Sequence, residues 1–178
     1  IARMVNPWLD SQRPFGATRA DEELGWLTTA LDVCAFEAQW HIPSYVRFSE
    51  GRDAAPLYRE FARILRTDAA IMGDAMRPRV LKCPKFAEDV PVLLAELPGA
   101  RLIVTRREPE DVLASSVSLV AAQSAFQSAD LSLARMRLEW ERKLALREAR
   151  MAAALDHLPG FTVSDEAITK GFANIDWP

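Results

Sequence analysis

The chain has 178 residues, which is the length of one domain, and its 49% of apolar residues is enough for a substantial core. Its formal net charge of −3 argues against general binding of nucleic acids, so any site for an anion must be local. Two cysteines are too few for a disulfide framework, no set of metal ligands is visible, and no run approaches a membrane span. Since no signal peptide is visible either, a cytoplasmic location is the default expectation.

The first predicted element is a helix over residues 21–36. Its apolar residues recur at spacings of three and four, at Leu24, Leu27, Leu31 and Cys34. The acidic residues 21–23 suit its first turn, because the helix dipole favours carboxylates there. On the residues alone, the simplest role for Glu23 is therefore a structural one.

Residues 36–48 form the most aromatic part of the chain, with Trp40, Tyr45 and Phe48 on either side of Pro43. This composition predicts a loop with rigid apolar walls, which suits a pocket for a small molecule. His41 lies within it. Imidazole changes its charge near neutral pH, so His41 is a candidate general base, while a structurally satisfied histidine is the more common outcome.

Further helices are predicted over residues 54–71, from Pro109 to about Gln127 and over residues 130–158. The last has an apolar stripe formed by Leu133, Met136, Trp140, Leu144, Met151, Leu155 and Leu158. Such a stripe favours core packing or the seam of a homo-oligomer over a cofactor site. Glu139 and Lys143, four residues apart, are predicted to pair along this helix. A final strand is predicted at residues 161–164.

Two short apolar runs predict parallel β-strands. Val80 and Leu81 lead to Lys82, and residues 101–105 lead to Arg106 and Arg107. A helix predicted over residues 86–97 joins them, which implies a right-handed parallel crossover. Ligands of such sheets bind beyond the carboxyl ends of the strands. The expected fold is therefore α/β, with a short parallel sheet flanked by helices and an anion site near its edge.

Ser115 lies eight residues after Arg107, about two turns up the following helix. The guanidinium of Arg107 offers paired donors, and the hydroxyl of Ser115 offers another, so the two residues form a candidate phosphate clamp. A basic strand end that makes surface salt bridges fits the same spacing about equally well.

The sequence Arg107-x-Pro109-x-Asp111-x-x-x-Ser115 resembles the 3′-phosphate-binding motif of the sulfotransferase family. The segment at residues 81–84, Leu-Lys-Cys-Pro, resembles the Lys-x-Pro strand of that family, and residues 97–101 resemble its entry into the next strand. The similarity extends weakly from Asn6 to about Trp140. It implies a single domain over residues 1–178 with a P-loop-like fold, helix-rich around its parallel sheet.

The resemblance also implies a function. Sulfotransferases transfer a sulfuryl group from 3′-phosphoadenosine 5′-phosphosulfate (PAPS) to an acceptor hydroxyl without a metal, and release adenosine 3′,5′-bisphosphate. Arg107 and Ser115 would bind the 3′-phosphate of PAPS, and Lys82 would stabilise charge on the transferring group. The acceptor is a small-molecule or peptidyl hydroxyl, and nucleic acid is not an expected partner.

Two residues are candidates for the general base, and the resemblance suggests the first of them. In the tyrosylprotein branch a glutamate soon after the phosphate loop is the base, and Glu23 stands at a similar separation from Lys82. His41 is the second candidate. The cytosolic branch uses a histidine two residues beyond the strand lysine, but this chain has Pro84 at that position.

The first strand of the family and its phosphate-binding Pro-x-x-Gly-Thr-Thr-like loop have no counterpart in this sequence. The simplest explanation is that the sequence is a fragment, incomplete at its N-terminus. One alternative is a sulfotransferase-like module that binds the nucleotide without catalysis. Another is a relative of nucleotide kinases, although no Walker lysine or magnesium ligand is visible.

Overall fold

The computed structural model describes residues 22–30, 32, 35–125 and 131–157. These residues form seven α-helices and one 3-10 helix. In chain order the elements are α1 (Leu24–Thr29), α2 (Ala35–Gln39), α3 (Pro43–Gly51), α4 (Ala55–Met72), the 3-10 helix (Pro84–Glu88), α5 (Val90–Glu96), α6 (Pro109–Ser124) and α7 (Leu133–Leu155).

Helix α4 shows most clearly why these residues are helical. A proline in its first turn costs no intrahelical hydrogen bond, and Gly73 ends the helix in the left-handed conformation with φ of 69°. Between these ends, buried side chains recur at helical spacing: Leu57, Tyr58, Phe61, Ala62 and Leu65. The prediction of a helix over residues 54–71 is confirmed.

The hydrophobic core lies where α4 packs on α1 and α5. Tyr58 and Phe61 are fully buried there, with ring centroids 6.3 Å apart in an edge-to-face arrangement. The hydroxyl of Tyr58 donates to Asp89 Oδ2 over 3.2 Å, which satisfies the one polar atom of that ring. Burial raises the pKa of Tyr58 far above its usual range, so the hydroxyl keeps its proton.

The prediction of a parallel sheet flanked by helices is wrong. Among the described residues there is no β-strand, and the segments at residues 79–83 and 101–108 are irregular. Val80 is 78% exposed and Ile103 is 83% exposed, whereas strands of a parallel sheet are buried on both faces. A β-branched run becomes a strand only when another strand pairs with it, and neither segment has such a partner among the described residues.

Three further predictions need correction. The helix expected over residues 21–36 begins at Leu24 and is followed by a separate helix α2, and the expected helix over residues 86–97 starts as a 3-10 helix. The aromatic segment at residues 36–48 is mostly helical, and only residues 40–42 form a short connection between α2 and α3. Pro43 occupies the first turn of α3, where proline starts a helix instead of breaking it. The strand predicted at residues 161–164 lies outside the described residues.

Several of the described elements pack around α7. Helix α7 contacts α6, α5 and the 3-10 helix, and α2 contacts α6. The predictions of α6 and α7 are confirmed with shorter ends. No helix in the described ranges combines the length and the apolarity needed to cross a membrane. This arrangement brings α2 and α3 against one face of α7, where a cavity lies.

Candidate functional site

A cavity of about 310 Å³ lies between α2, α3 and α7. Its apolar wall consists of Trp40, Ile42, Pro43, Val46 and Trp140. Its polar lining consists of Glu37, His41, Arg47, Glu50, Glu139, Arg142 and Lys143. Apolar walls with a few placed polar groups are typical of small-molecule sites, and this volume is at the lower end of their range.

His41 lies between α2 and α3 and faces Glu139 of α7. The distance between His41 Nδ1 and Glu139 Oε1 is 2.8 Å, and each side chain is 42% exposed. A carboxylate can only accept a hydrogen bond, so the proton of the imidazole lies on Nδ1. In a neutral imidazole this leaves Nε2 as an acceptor, which is the atom that a general base needs.

At the cavity wall, Lys143 contacts three other helical elements. Its ammonium lies 2.6 Å from Glu37 Oε2, 3.1 Å from Glu50 Oε1 and 3.0 Å from Glu88 Oε2. Lys143 is buried, so these contacts replace the water that its charge would otherwise need. The predicted pair along α7 with Glu139 is replaced by contacts to α2, α3 and the 3-10 helix.

Glu88 is the most heavily paired carboxylate of this network. Its Oε2 lies 2.7 Å from Lys85 Nζ, and its Oε1 accepts from Arg147 over 2.9 Å. Burial alone would raise the pKa of Glu88, but the charges of Lys85, Arg147 and Lys143 lower the pKa to about 2. Glu88 is therefore ionised throughout the physiological range.

The other two carboxylates of the network lie at the cavity. Burial alone would raise the pKa of Glu50, but hydrogen bonds from Arg142 and the charge of Lys143 lower it below its usual range. Glu37 uses one oxygen for Lys143. Its Oε1 is buried 3.6 Å from Lys85 Nζ and accepts no hydrogen bond from the described residues. The network thus fixes the cavity wall through charge contacts.

Glu23, the first candidate base, directly precedes α1 and lies next to Lys82. The backbone N–H of Glu23 donates to the carbonyl oxygen of Lys82 over 3.3 Å. The ammonium of Lys82 forms an ion pair with the carboxylate of Glu22, and the Lys82 side chain is 69% exposed. Glu23 itself is buried. The structure therefore brings Glu23 and Lys82 together through the backbone and gives the ion pair to the neighbouring acid.

Arg107 and Ser115 lie at the first half of α6. Arg107 precedes the helix by two residues, Ser115 lies in its second turn, and both are exposed. Within the described ranges, the guanidinium of Arg107 makes no hydrogen bond or ion pair. Glu110 in the first turn pairs with Arg137 over 3.0 Å, so this carboxylate is already engaged. The phosphate clamp at Arg107 and Ser115 stays a prediction.

Sequence reasoning missed the charge network, although it left one signal. Lys143 lies three residues after Trp140 and seven after Met136, which places it on the buried stripe of α7. A lysine at such a position needs acidic partners. Glu37 stands among apolar neighbours, which is the matching signal on α2.

A model of the Sulfotransferase family matches residues 2–163. The match covers most of the chain and includes the segments around Lys82 and Arg107 as well as every residue that lines the cavity. No curated protein and no solved structure gave a match. The family resemblance that the sequence motifs carry is therefore confirmed, whereas the tyrosylprotein branch is not shown.

Proposed function

Because the chain belongs to the sulfotransferase family, we propose that it transfers a sulfuryl group from PAPS to the hydroxyl of an acceptor bound in the cavity between α2, α3 and α7. The observation that carries the choice of site is the pair of His41 and Glu139. It places an oriented imidazole at the rim of a cavity of small-molecule size.

The reaction needs a base, a donor site and charge stabilisation. The acceptor oxygen forms a bond to sulfur, the bond between sulfur and the 5′-phosphate oxygen breaks, and adenosine 3′,5′-bisphosphate leaves with the electron pair. The proton of the acceptor hydroxyl passes to the base. His41 Nε2 suits this step because Glu139 holds the proton of the ring on Nδ1 and stabilises the charge of the protonated ring.

Glu23 is the second candidate for the base. It lies next to Lys82, but its side chain is buried and it is not among the residues that line the cavity. An acceptor held in the cavity would therefore meet the imidazole of His41, which lines the cavity and is partly exposed, rather than the buried carboxylate of Glu23. We place His41 first for this reason.

The donor would bind to the two irregular segments at residues 79–83 and 101–108, here named the donor segments. Lys82 is a cation on a long, flexible side chain that can exchange Glu22 for the sulfonate and phosphate oxygens of PAPS. Arg107 offers a guanidinium with no partner in the described ranges, and Ser115 offers a hydroxyl. These residue types fit a phosphate group.

Titration with adenosine 3′,5′-bisphosphate by calorimetry tests the donor site directly, with ATP as the control ligand. We expect the bisphosphate to bind and ATP to bind more weakly, because the family motif is read as a site for a 3′-phosphate. Arg106→Ala is the matched variant for Arg107→Ala, since the two exposed arginines are adjacent. Equal weakening by both substitutions would contradict the assignment.

Transfer itself is tested with radiolabelled PAPS and a set of hydroxyl compounds. Labelled product that appears only with an acceptor supports the proposal. Binding of the bisphosphate without any transfer would favour the alternative of a nucleotide-binding module without chemistry.

A further inference from the structure

We infer that the acceptor is a small hydroxyl compound that also carries an acidic group, and that Arg47 binds this group in the cavity. The inference rests on the proposed sulfuryl transfer, because it names the class of compound that this reaction would use. It adds Arg47 as a residue that determines specificity.

The position of Arg47 follows from the geometry of α3. Pro43, Val46, Arg47 and Glu50 all line the cavity, and spacings of three, four and seven place them on one face of the helix. Arg47 therefore lies one turn after the N-terminus of α3, between the apolar Val46 and the paired Glu50. His41 lies just before the helix, at the same cavity.

Apart from Arg47, each charged side chain of the cavity lining has an ionic partner, although one oxygen of Glu37 accepts no hydrogen bond from the described residues. Glu37 contacts Lys143, Glu50 contacts both Lys143 and Arg142, and Glu139 contacts His41. Arg47 is the one charged residue of the lining for which the described ranges supply no hydrogen bond or ion pair. A carboxylate or similar anion on the ligand would complete the pairing with two parallel hydrogen bonds.

The charges at and behind the wall balance one another without Arg47. Four carboxylates there, Glu37, Glu50, Glu88 and Glu139, face four cations, Lys85, Arg142, Lys143 and Arg147. Arg47 adds one positive charge to this balance, and that charge would attract a carboxylate and repel an ammonium group.

The apolar residues define the rest of the ligand. Trp40 and Trp140 line the cavity, the ring of Trp40 is supported by Phe36 at 4.3 Å between centroids, and the guanidinium of Arg147 lies 5.6 Å from the centroid of Trp140. Two held indole rings favour a flat, aromatic body. The volume of about 310 Å³ fits a small molecule. An aromatic hydroxy acid combines these properties, with its acid at Arg47 and its hydroxyl at His41.

The first test compares ligands on the unaltered protein, so folding cannot confuse it. Calorimetry with hydroxynaphthoate, naphthol and aminomethylnaphthol varies the charge on one aromatic body. We expect hydroxynaphthoate to bind about tenfold more tightly than naphthol, because a charge-assisted hydrogen bond contributes about that factor in affinity. The amine should bind most weakly. Equal affinity for the acid and the neutral compound, or tighter binding of the amine, would overturn the inference.

The second test removes the cation. Arg47→Gln should lose the preference for hydroxynaphthoate while its affinity for naphthol stays within about twofold, since only the charge-assisted contact changes. Arg66→Gln is the matched control, because Arg66 is also an exposed helical arginine and lies outside the cavity. If Arg66→Gln reduced the preference as much as Arg47→Gln, the assignment to Arg47 would be wrong.

Failure of this inference and failure of the proposed function give different results. Adenosine 3′,5′-bisphosphate binding reports on the donor segments and does not involve Arg47. A protein that binds the bisphosphate but does not prefer the acidic aromatic compound keeps the proposed function and loses the acceptor class. A protein that does not bind the bisphosphate loses the proposed function, whatever the cavity binds.

Discussion

The cavity and the donor segments differ in how their charged side chains are held. Around the cavity, Lys143 and its acidic partners are buried or largely buried, and they contact one another across four elements of the chain. In the donor segments, Lys82 and Arg107 are exposed and belong to irregular backbone. The difference teaches that the charges around the cavity are engaged in holding the fold, whereas the exposed cations of the donor segments are accessible to a ligand.

The largest effect that we expect at the cavity is on the rate of sulfuryl transfer. We expect His41→Gln to lower the rate of hydroxynaphthoate sulfation by about 10²–10⁴-fold, because a positioned general base contributes that much. The affinity for adenosine 3′,5′-bisphosphate should be unchanged. Single-turnover kinetics with radiolabelled PAPS measures the rate, and calorimetry measures the affinity.

His157→Gln is the matched control for that experiment, since the chain has two histidines and His157 is exposed just beyond α7. Glu23→Gln tests the other candidate base. If Glu23→Gln lowered the transfer rate and His41→Gln left it unchanged, the general base would be Glu23, next to Lys82 of the donor segments. The cavity would then lose its catalytic role.

On folding stability, the largest effect is expected at the centre of the network. Lys143→Met should lower the free energy of unfolding by about 3–5 kcal/mol, because it leaves buried carboxylates without their shared cation. Urea denaturation followed by circular dichroism measures this change. Arg137→Met on the same helix is the control, since its pair with Glu110 is exposed and should contribute no more than about 1 kcal/mol. Equal losses in the two variants would remove the distinction between buried and exposed charges.

The same network predicts how stability depends on pH. The pKa of Glu88 is lowered from 4.5 to about 2 in the folded protein, so its contribution is fully present above pH 4.5. It is lost as the pH falls toward 2, and its size is on the order of 3 kcal/mol, since one pKa unit corresponds to about 1.4 kcal/mol. Glu88→Gln should therefore flatten the stability curve in this window.

Denaturation at a series of pH values gives that curve, and Glu141→Gln is its control, because Glu141 is an exposed acid on α7. A curve for Glu88→Gln that keeps the slope of the unaltered protein between pH 4.5 and pH 2 would show that Glu88 is not held by its cations.

The sequence allows some elements of this fold to be predicted and not others. Helix α4 could be predicted almost to the residue, because Gly73 and the spacing of Leu57, Phe61 and Leu65 are local signals. The sheet could not be judged in this way, because a strand depends on a neighbour that its own residues do not specify. Val80 and Ile103 have the residue types of a strand and are exposed.

The candidate site shows the same limit. His41 and Trp40 could be found from composition, since they lie within one short aromatic segment, but Trp140 of α7 could not be assigned to the same wall. The partners of Lys143 could not, because Glu50 and Glu88 are 93 and 55 residues away in sequence. From its spacing on α7, the side chain of Lys143 can either pair with Glu139 along the helix or point toward the neighbouring elements. The packing of α2, α3 and the 3-10 helix against α7 decides for the second placement.

The smallest effect concerns the donor segments and completes the comparison. Arg107→Ala should weaken the binding of adenosine 3′,5′-bisphosphate by about 1.5–3 kcal/mol, because a charge-assisted contact is lost. Its effect on the free energy of unfolding should stay within about 0.5 kcal/mol, because Arg107 is exposed and makes no hydrogen bond or ion pair in the described ranges. Lys143→Met should do the reverse, with a large loss of stability and bisphosphate binding that is normal at temperatures where the variant is folded. If Arg107→Ala destabilised the fold as much as Lys143→Met does, the donor segments would be part of the folding core, and the exposure of their cations would no longer be a reason to assign them to a ligand.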